Sequence, residues 1–418
     1  MERIETVIVG GGQAGMATSS WLRQAGHDHV VLERSDRPAH VWSDNRWDSF
    51  STVTPNLYLR LPGAEYDGSD PNGFLSRAEI VGYFEQYAAR FEVPLRYNTT
   101  VTAVEPADEG GYVVRTTERT IRAANVVIAT GFFQIPRRPA AARALQPDIM
   151  QLHTTRYRNP ESLPDGAVLV VGSAMSGCQI AEELYQQGRK VFLSTGATGR
   201  LPRRYRGRDI VDWLDRMGFF EIPLEKVPKG STKFDSIPHL SGVNGGHTIN
   251  LHRFARDGVT LLGRLGEMRD TTASFLPNLH DNLTRSDAFE TEVLGMVDEY
   301  IGHQHPDTPQ DDLPRMTDGF DQPVIESIDL AREGISTVIW ATGYAIDYSI
   351  VRLPVVDPDG FPIQDRGVTR YPGLYFTGIP WMPSESSGTL GGVGASTRHI
   401  AARIAPATEL AHTGLASH

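Results

Sequence analysis

The chain has 418 residues, 40% hydrophobic and 22% charged, which is ordinary folded composition, long enough for two full cores, and excludes a disordered or low-complexity protein. A formal net charge of -11 argues against nucleic acid or an anionic membrane as partner. The single cysteine, Cys178, excludes a disulfide framework and suits a reducing cytoplasm.

Thr6-Val7-Ile8-Val9 reads as a buried parallel strand, followed by the glycine fingerprint Gly10-Gly11-Gly12-Gln13-Ala14-Gly15 and a helix from Met16 to Gln24 closed by Gly26. In such a unit Gly10 permits the tight turn, Gly12 lets a pyrophosphate approach the backbone, and Gly15 lets the helix pack close on the strand. A second strand, His29 to Leu32, ends on Glu33, 23 residues after Gly10, where an acid accepts the ribose hydroxyls of an adenosine. The first strand begins at about Ile4, which leaves no room for a signal peptide, and no apolar run approaches the ~20 residues of a membrane helix. A soluble cytoplasmic protein is expected.

An extended segment, Ala39 to Gly73, is followed by a helical stretch from Arg77 to Phe91 in which Ile80, Phe84, Tyr87 and Ala88 recur at helical spacing. Strands are predicted at Thr100 to Val104, Tyr112 to Val114 and Val126 to Ile128, the last running into Ala129-Thr130-Gly131. The second fingerprint, Gly172-Ser173-Ala174-Met175-Ser176-Gly177, lies between the strand Val168 to Val171 and a helix from Cys178 to Gln187. Ala174 replaces its middle glycine and narrows the approach to the phosphates.

The position 23 residues after Gly172 is the neutral Thr195, at the end of Val191-Phe192-Leu193-Ser194. With no carboxylate to repel a 2′-phosphate, and with Arg200, Arg203 and Arg204 close behind, the pocket is expected to take NADPH rather than NADH. Tyr205 to Gln322 gives only fragments, with helical patterns near Asp209 to Met217 and Phe289 to Ile301. A strand at Thr337 to Trp340 runs into Ala341-Thr342-Gly343, and Leu374 to Phe376 reads as a last strand ending at Gly378. The glycine-rich Ser386 to Gly394 turn leads to a helix from about Ala395. The expected fold is therefore α/β with two Rossmann-like domains, the second inserted into the first: residues 1–145 and 336–418 for one dinucleotide, 146–335 for the other.

Both fingerprints, the Trp42…Arg46-Trp47-Asp48-Ser49 segment with Thr54-Pro55-Asn56, both Ala-Thr-Gly strands and the Gly373-to-Gly394 tail resemble the flavin-containing monooxygenases, or class B flavoprotein monooxygenases, nearly end to end. The family signature F-x-G-x-x-x-H-S-x-x-Y falls on Pro147 to Tyr157, where His153 and Tyr157 match, Thr154 stands for serine, and Pro147 and Ile149 depart. Tyr157 stands nearer the heteroatom-oxidising branch than the Baeyer–Villiger one.

The resemblance implies FAD in contact with Gly10, Gly12, Gln13, Ala14, Gly15, Glu33, Arg34, Trp42, Arg46, Thr130, Gly131, Gly378 and Leu390. It implies NADPH on Gly172, Ser173, Met175, Ser176, Gly177, Ser194, Thr195, Arg200, Arg203, Arg204, Ala341, Thr342 and Gly343. Asn56, Arg46 and His153 are the catalytic candidates.

The implied activity is NADPH- and O2-dependent oxygenation, through a C4a-hydroperoxyflavin, of a small organic nucleophile at N or S. An NADPH oxidase, an electron-transfer reductase, a flavin-bound redox sensor and carbonyl oxygenation of Baeyer–Villiger or decarboxylating type stay open. Disulfide reductase chemistry does not, since it needs a cysteine pair. No Ser/His/Asp, paired-carboxylate or metal-ligand spacing stands out, His303 and His305 included. The cofactor then carries the reaction, small-molecule substrate and O2 are the partners, and a homodimer is possible.

Overall fold

The computed structural model describes residues 1–223, 238–382 and 384–406. Its first sheet has seven strands. β1 (Glu2–Val9) lies between β2 (His29–Leu32) and the strand Thr120–Ile128, parallel to both. The long strand Thr120–Ile128 divides its far edge between two partners. Its first half pairs antiparallel with Tyr112–Thr116 and its last residues pair parallel with Leu374–Phe376. The C-terminal strand thus returns to the N-terminal sheet.

The continuous apolar run of β1 follows from being covered on both faces. Val7 and Val9 pack into one core with Val30, Val126 and Phe376, while Ile8 packs on the other side with Met16, Leu22, Phe84 and Ile400. The helices α1 (Gln13–Gln24) and Val393–Ile404 cover that second face. Helix Arg77–Arg90 begins with a capping box in which Ser76 and Glu79 satisfy each other's backbone amides.

The second sheet is wholly parallel, in the order Met150–His153, Ile335–Trp340, Ala167–Val171, Val191–Ser194, Thr260–Leu262. Val168 and Val170 face one core and Leu169 and Val171 the other. Ile335–Trp340 belongs here, between Met150–His153 and Ala167–Val171, so the sequence boundary at 336 is corrected. The chain leaves the second sheet only after Trp340.

The described residues of the region that yielded only fragments complete this unit. Thr260–Leu262 is its edge strand, and the helix Leu279–Gln304 packs Val293, Val297 and Ile301 against Ile210, Trp213 and Tyr205. The two crossings between sheets meet in a short antiparallel pairing, Tyr344 with Pro136 and Ala345 with Ile135. No helix among the described residues is long and apolar enough to cross a membrane.

Candidate functional site

In the first sheet Val9 pairs with Ile128, which pairs with Phe376. The chain leaves these three carboxyl ends through Gly10, Ala129–Gly131 and Thr377–Gly378, so the turns face one crevice. Gly10 has a φ of +111°, and a Cβ there would stand 2.6 Å from the Ala129 carbonyl oxygen; a Cβ on Gly15 would stand 1.9 Å from that of Gly10. Close approach of backbone to backbone forces glycine at both. Gly12 is different. Its Cβ would meet nothing within 4 Å, so the missing side chain leaves open space at the start of α1, where a phosphate is favoured.

Glu33 is buried and accepts from the Gly11 amide at 2.7 Å, the Ser35 amide at 2.9 Å and His40 at 3.2 Å. Burial alone would raise its carboxyl, but His40 and the two amides outweigh burial and hold it below the usual range. Its Oε2 can still take another donor. Gln13 donates to the Gly388 carbonyl at 2.6 Å, and a Cβ on Gly378 would stand 2.3 Å from that of Ala14, so the C-terminal loop is seated on α1. Leu390 is buried in the same apolar cluster as Ala14, Thr130 and Gly131 are bridged by Gln134, and Arg34 is exposed.

Two polar atoms of this region are buried without a partner, Thr377 Oγ1 and Asn56 Oδ1. Asn56 uses its Nδ2 on the Asp70 carbonyl at 2.9 Å. An unsatisfied buried group costs about 1–3 kcal/mol, and Thr377, directly after Phe376 at the strand end, fits a polar ligand in the crevice. The residues present therefore suit a dinucleotide such as FAD.

The second crevice repeats the plan. Val171 pairs with Trp340 and with Ser194, and the exits are Gly172, Ala341–Gly343 and Thr195. A Cβ on Gly172 would stand 2.5 Å from the Ala341 carbonyl oxygen, and one on Gly177 would stand 1.9 Å from that of Gly172. Ser173 accepts from the Gly196 amide, while Met175 is half-buried and Ser176 exposed at the helix start. Thr342 donates to the Arg137 carbonyl at 2.6 Å and the Arg137 amide to that of Gly343 at 2.9 Å, which ties this exit to the other crossing.

Several sequence assignments change. Thr195 is 1% exposed, donates to the Leu262 carbonyl at 2.7 Å and accepts from Asn282 at 3.1 Å. Its side chain points inward, so a neutral residue there answers to burial rather than to a 2′-phosphate. Ser194 is likewise engaged with Gly263 and Leu265. Arg200 is paired with Asp287 at 2.7 Å and with Glu290, and Arg203 is 2% exposed, paired with Asp209. Of the three arginines only Arg204 is exposed.

His153 also changes role. Nδ1 accepts from the Thr155 amide at 3.3 Å and Nε2 reaches the Gly343 carbonyl at 3.2 Å, a pattern that the neutral Nε2–H tautomer satisfies. Burial lowers its pKa, and the Gly343 carbonyl opposes this only in part. With both nitrogens engaged within the protein, His153 is held in place at the crossing between the two sheets.

Between the crevices lies an aromatic junction. Tyr344 packs on His153 at 5.1 Å and on Phe133 at 5.1 Å. The half-buried Arg46 guanidinium sits 5.4 Å from the Trp42 ring and 5.3 Å from the Phe50 ring, and interacts with Tyr344. Trp47, by contrast, is packed in the second core.

Sequence reasoning missed Thr377, Tyr344 and Arg264. Arg264 is exposed and lies between Gly263, whose carbonyl takes the Ser194 hydroxyl, and Leu265, whose amide donates to it. Its signal was hidden because the strand before it has only three residues.

Two glycine cradles at the carboxyl ends of two sheets, joined by paired crossings, define a two-nucleotide flavoprotein oxidoreductase fold. The flavin-containing monooxygenase from Stenotrophomonas maltophilia has this fold, with a TM-score of 0.66 at 19% identity over 97% of this chain and 98% of that one. The pyridine nucleotide-disulphide oxidoreductase family model matches residues 7–206. An uncharacterized CzcO-like oxidoreductase from Geobacillus kaustophilus is 32% identical over 399 residues, 95% of this chain and 97% of the relative. The rice indole-3-pyruvate monooxygenase YUCCA1 is 33% identical over 214 residues, 49% of this chain and 52% of its own. The chain belongs to the CzcO-like oxidoreductases. The flavin-containing monooxygenases, whose fold this chain shares, use FAD and NADPH. Cys178, the chain's one cysteine, is fully buried with its thiol pushed up by desolvation, so the disulfide chemistry in the matching model's name has no reactive pair here.

Proposed function

We propose that the protein is an NADPH- and O2-dependent monooxygenase of a small organic nucleophile, oxidised at N or S. The observation that carries this reading is the junction itself: two nucleotide cradles meet at an aromatic-walled guanidinium, with no reactive cysteine and no free histidine beside it. Bound flavin supplies the redox and oxygen chemistry. The chain's residues bind, orient and keep water out.

FAD is assigned to the Gly10 crevice, with Glu33 on its ribose, and NADPH to the Gly172 crevice. Arg264 is the guanidinium held beside the strand end that carries Ser194, and it is our assignment for the 2′-phosphate. Asn56 and Thr377 offer their unpaired atoms to the flavin side. Trp42, Phe50 and Tyr344 exclude water from the meeting point, which lengthens the life of any oxygenated species. The FAD unit is assigned to residues 1–145 plus the chain after Trp340, and the NADPH unit to the inserted stretch.

A second reading, oxygenation at a carbonyl, draws on the plant relative, named an indole-3-pyruvate monooxygenase. Turnover under 18O2 tests the proposal: one labelled oxygen should enter an amine, thioether or carbonyl substrate for each NADPH consumed. Stoichiometric hydrogen peroxide and unlabelled substrate across that panel would instead assign an oxidase.

A further inference from the structure

Among the described residues Arg46 is a cation without a carboxylate partner, while the acids of its segment have other partners. Asp48 pairs with Arg77 at 3.0 Å and accepts from Asn159 at 2.6 Å, and Asp44 accepts from Ser43 at 2.8 Å. The backbone carbonyl of Arg46 receives Arg77 and Arg158, which fixes its position in the chain. Yet among the described residues its guanidinium has no carboxylate within 4.0 Å; it donates to the Asn45 carbonyl at 3.2 Å and to the Tyr344 hydroxyl. Its fork carries five donors, more than these two contacts use.

The rings of Trp42 and Phe50, 5.9 Å apart and tilted by 58°, flank the guanidinium, and Tyr344 reaches it from the crossing. Aromatic faces stabilise a cation but leave its hydrogen-bonding edge free. That edge is a planar fork, matched by a planar carboxylate with two parallel bonds. The diphosphates of the two nucleotides have their own sites at the two helix starts.

We propose that Arg46 holds the carboxylate of the substrate, so that the enzyme selects small organic acids whose apolar body lies on Trp42, Phe50 and Tyr344. This rests on the reading that oxygenation occurs at the junction. The acid group anchors the molecule and leaves its nucleophilic atom, or its carbonyl, to the flavin.

The test is binding, measured by tryptophan fluorescence quenching on the oxidised holoenzyme with matched probes: short alkyl, long alkyl and aryl carboxylic acids, each beside its primary amide. At least one acid should bind about 10-fold or more tightly than its amide. Arg46→Gln should bring that ratio to near one, and Arg46→Lys should restore part of it. Overturning results are equal binding of every acid and its amide, an unchanged ratio in Arg46→Gln, or a loss confined to NADP+ affinity. If Arg46→Gln does not fold, Arg46→Lys still decides the question, since a ratio equal to wild type would show that no bidentate contact exists. Because no turnover is read, acid selectivity without oxygen transfer would sink the monooxygenase reading alone.

Discussion

Gly12 and Ala174 occupy the same place at the start of their helices with nearly the same backbone, φ -81° and ψ -174° against φ -73° and ψ 177°. Glycine is therefore not required at position 12 by conformation. Its value is the empty space where a side chain would stand, and Ala174 fills the corresponding space with a methyl group. Gly12→Ala should fold normally and lose FAD affinity by about 1–3 kcal/mol, the usual cost of an inserted methyl in a close contact. Ala174→Gly should tighten NADP+ severalfold, by roughly 0.5–1 kcal/mol on the same ground. Titration of apoprotein with FAD and of holoprotein with NADP+ checks both, and weaker NADP+ binding in Ala174→Gly would show that the methyl makes a favourable contact.

The nucleotide preference of the second pocket should follow Arg264 rather than Arg200 or Thr195. Arg264→Gln is expected to raise KM for NADPH about 10-fold, the loss of roughly 1.4 kcal/mol, with little change for NADH. Arg200→Ala should instead lower stability by about 3 kcal/mol, because it strands Asp287 and Glu290. Steady-state kinetics with both nucleotides, read beside thermal melting, separates the two effects. An unchanged NADPH-to-NADH ratio in Arg264→Gln would remove Arg264 from the site.

Glu33 predicts an acid limit. Its folded carboxyl is held below the unfolded value, so its contribution to stability is fully present above the unfolded pKa of about 4.3 and is lost as pH falls through the lower folded value. Glu33→Gln should flatten that part of the melting-temperature profile and weaken FAD retention at neutral pH. A wild-type profile unaltered by Glu33→Gln in this acid window would refute the assignment.

His153 predicts the absence of a proton-transfer signature. Its folded pKa lies below the free value, so the neutral form persists at neutral pH, and stability from the neutral ring is present above about 6.5 and declines as pH falls. His153→Asn should lower stability and leave the shape of kcat against pH unchanged between pH 6.5 and 8. Loss of an ionisation from that profile would instead make His153 a proton-transfer group.

The two cradles were legible because each of their glycines answers to a local cause, a positive φ at Gly10 and Gly172 or a helix pressed on a strand at Gly15 and Gly177. The apolar runs located the strands but not their limits: the first strand starts at Glu2 and the long one at Thr120, through polar residues that extend them on the side away from the turns. What the sequence misplaced were side chains whose partners lie far along the chain. Arg200 meets residues 287 and 290, Thr195 meets 262 and 282, and His153 meets 343, contacts that no local pattern announces. Ile335–Trp340 was counted with the wrong sheet for a related reason, since its Ala-Thr-Gly exit looks the same from either side of the crossing.

The junction is proposed to protect an oxygenated flavin from water. Rapid mixing of the NADPH-reduced enzyme with O2, followed by flavin absorbance, tests it most directly. The account predicts an absorbing species that is neither oxidised nor reduced flavin, persisting for seconds with NADP+ bound and decaying faster when a substrate is added. Direct return to oxidised flavin with stoichiometric hydrogen peroxide, unaffected by any nucleophile, would contradict it.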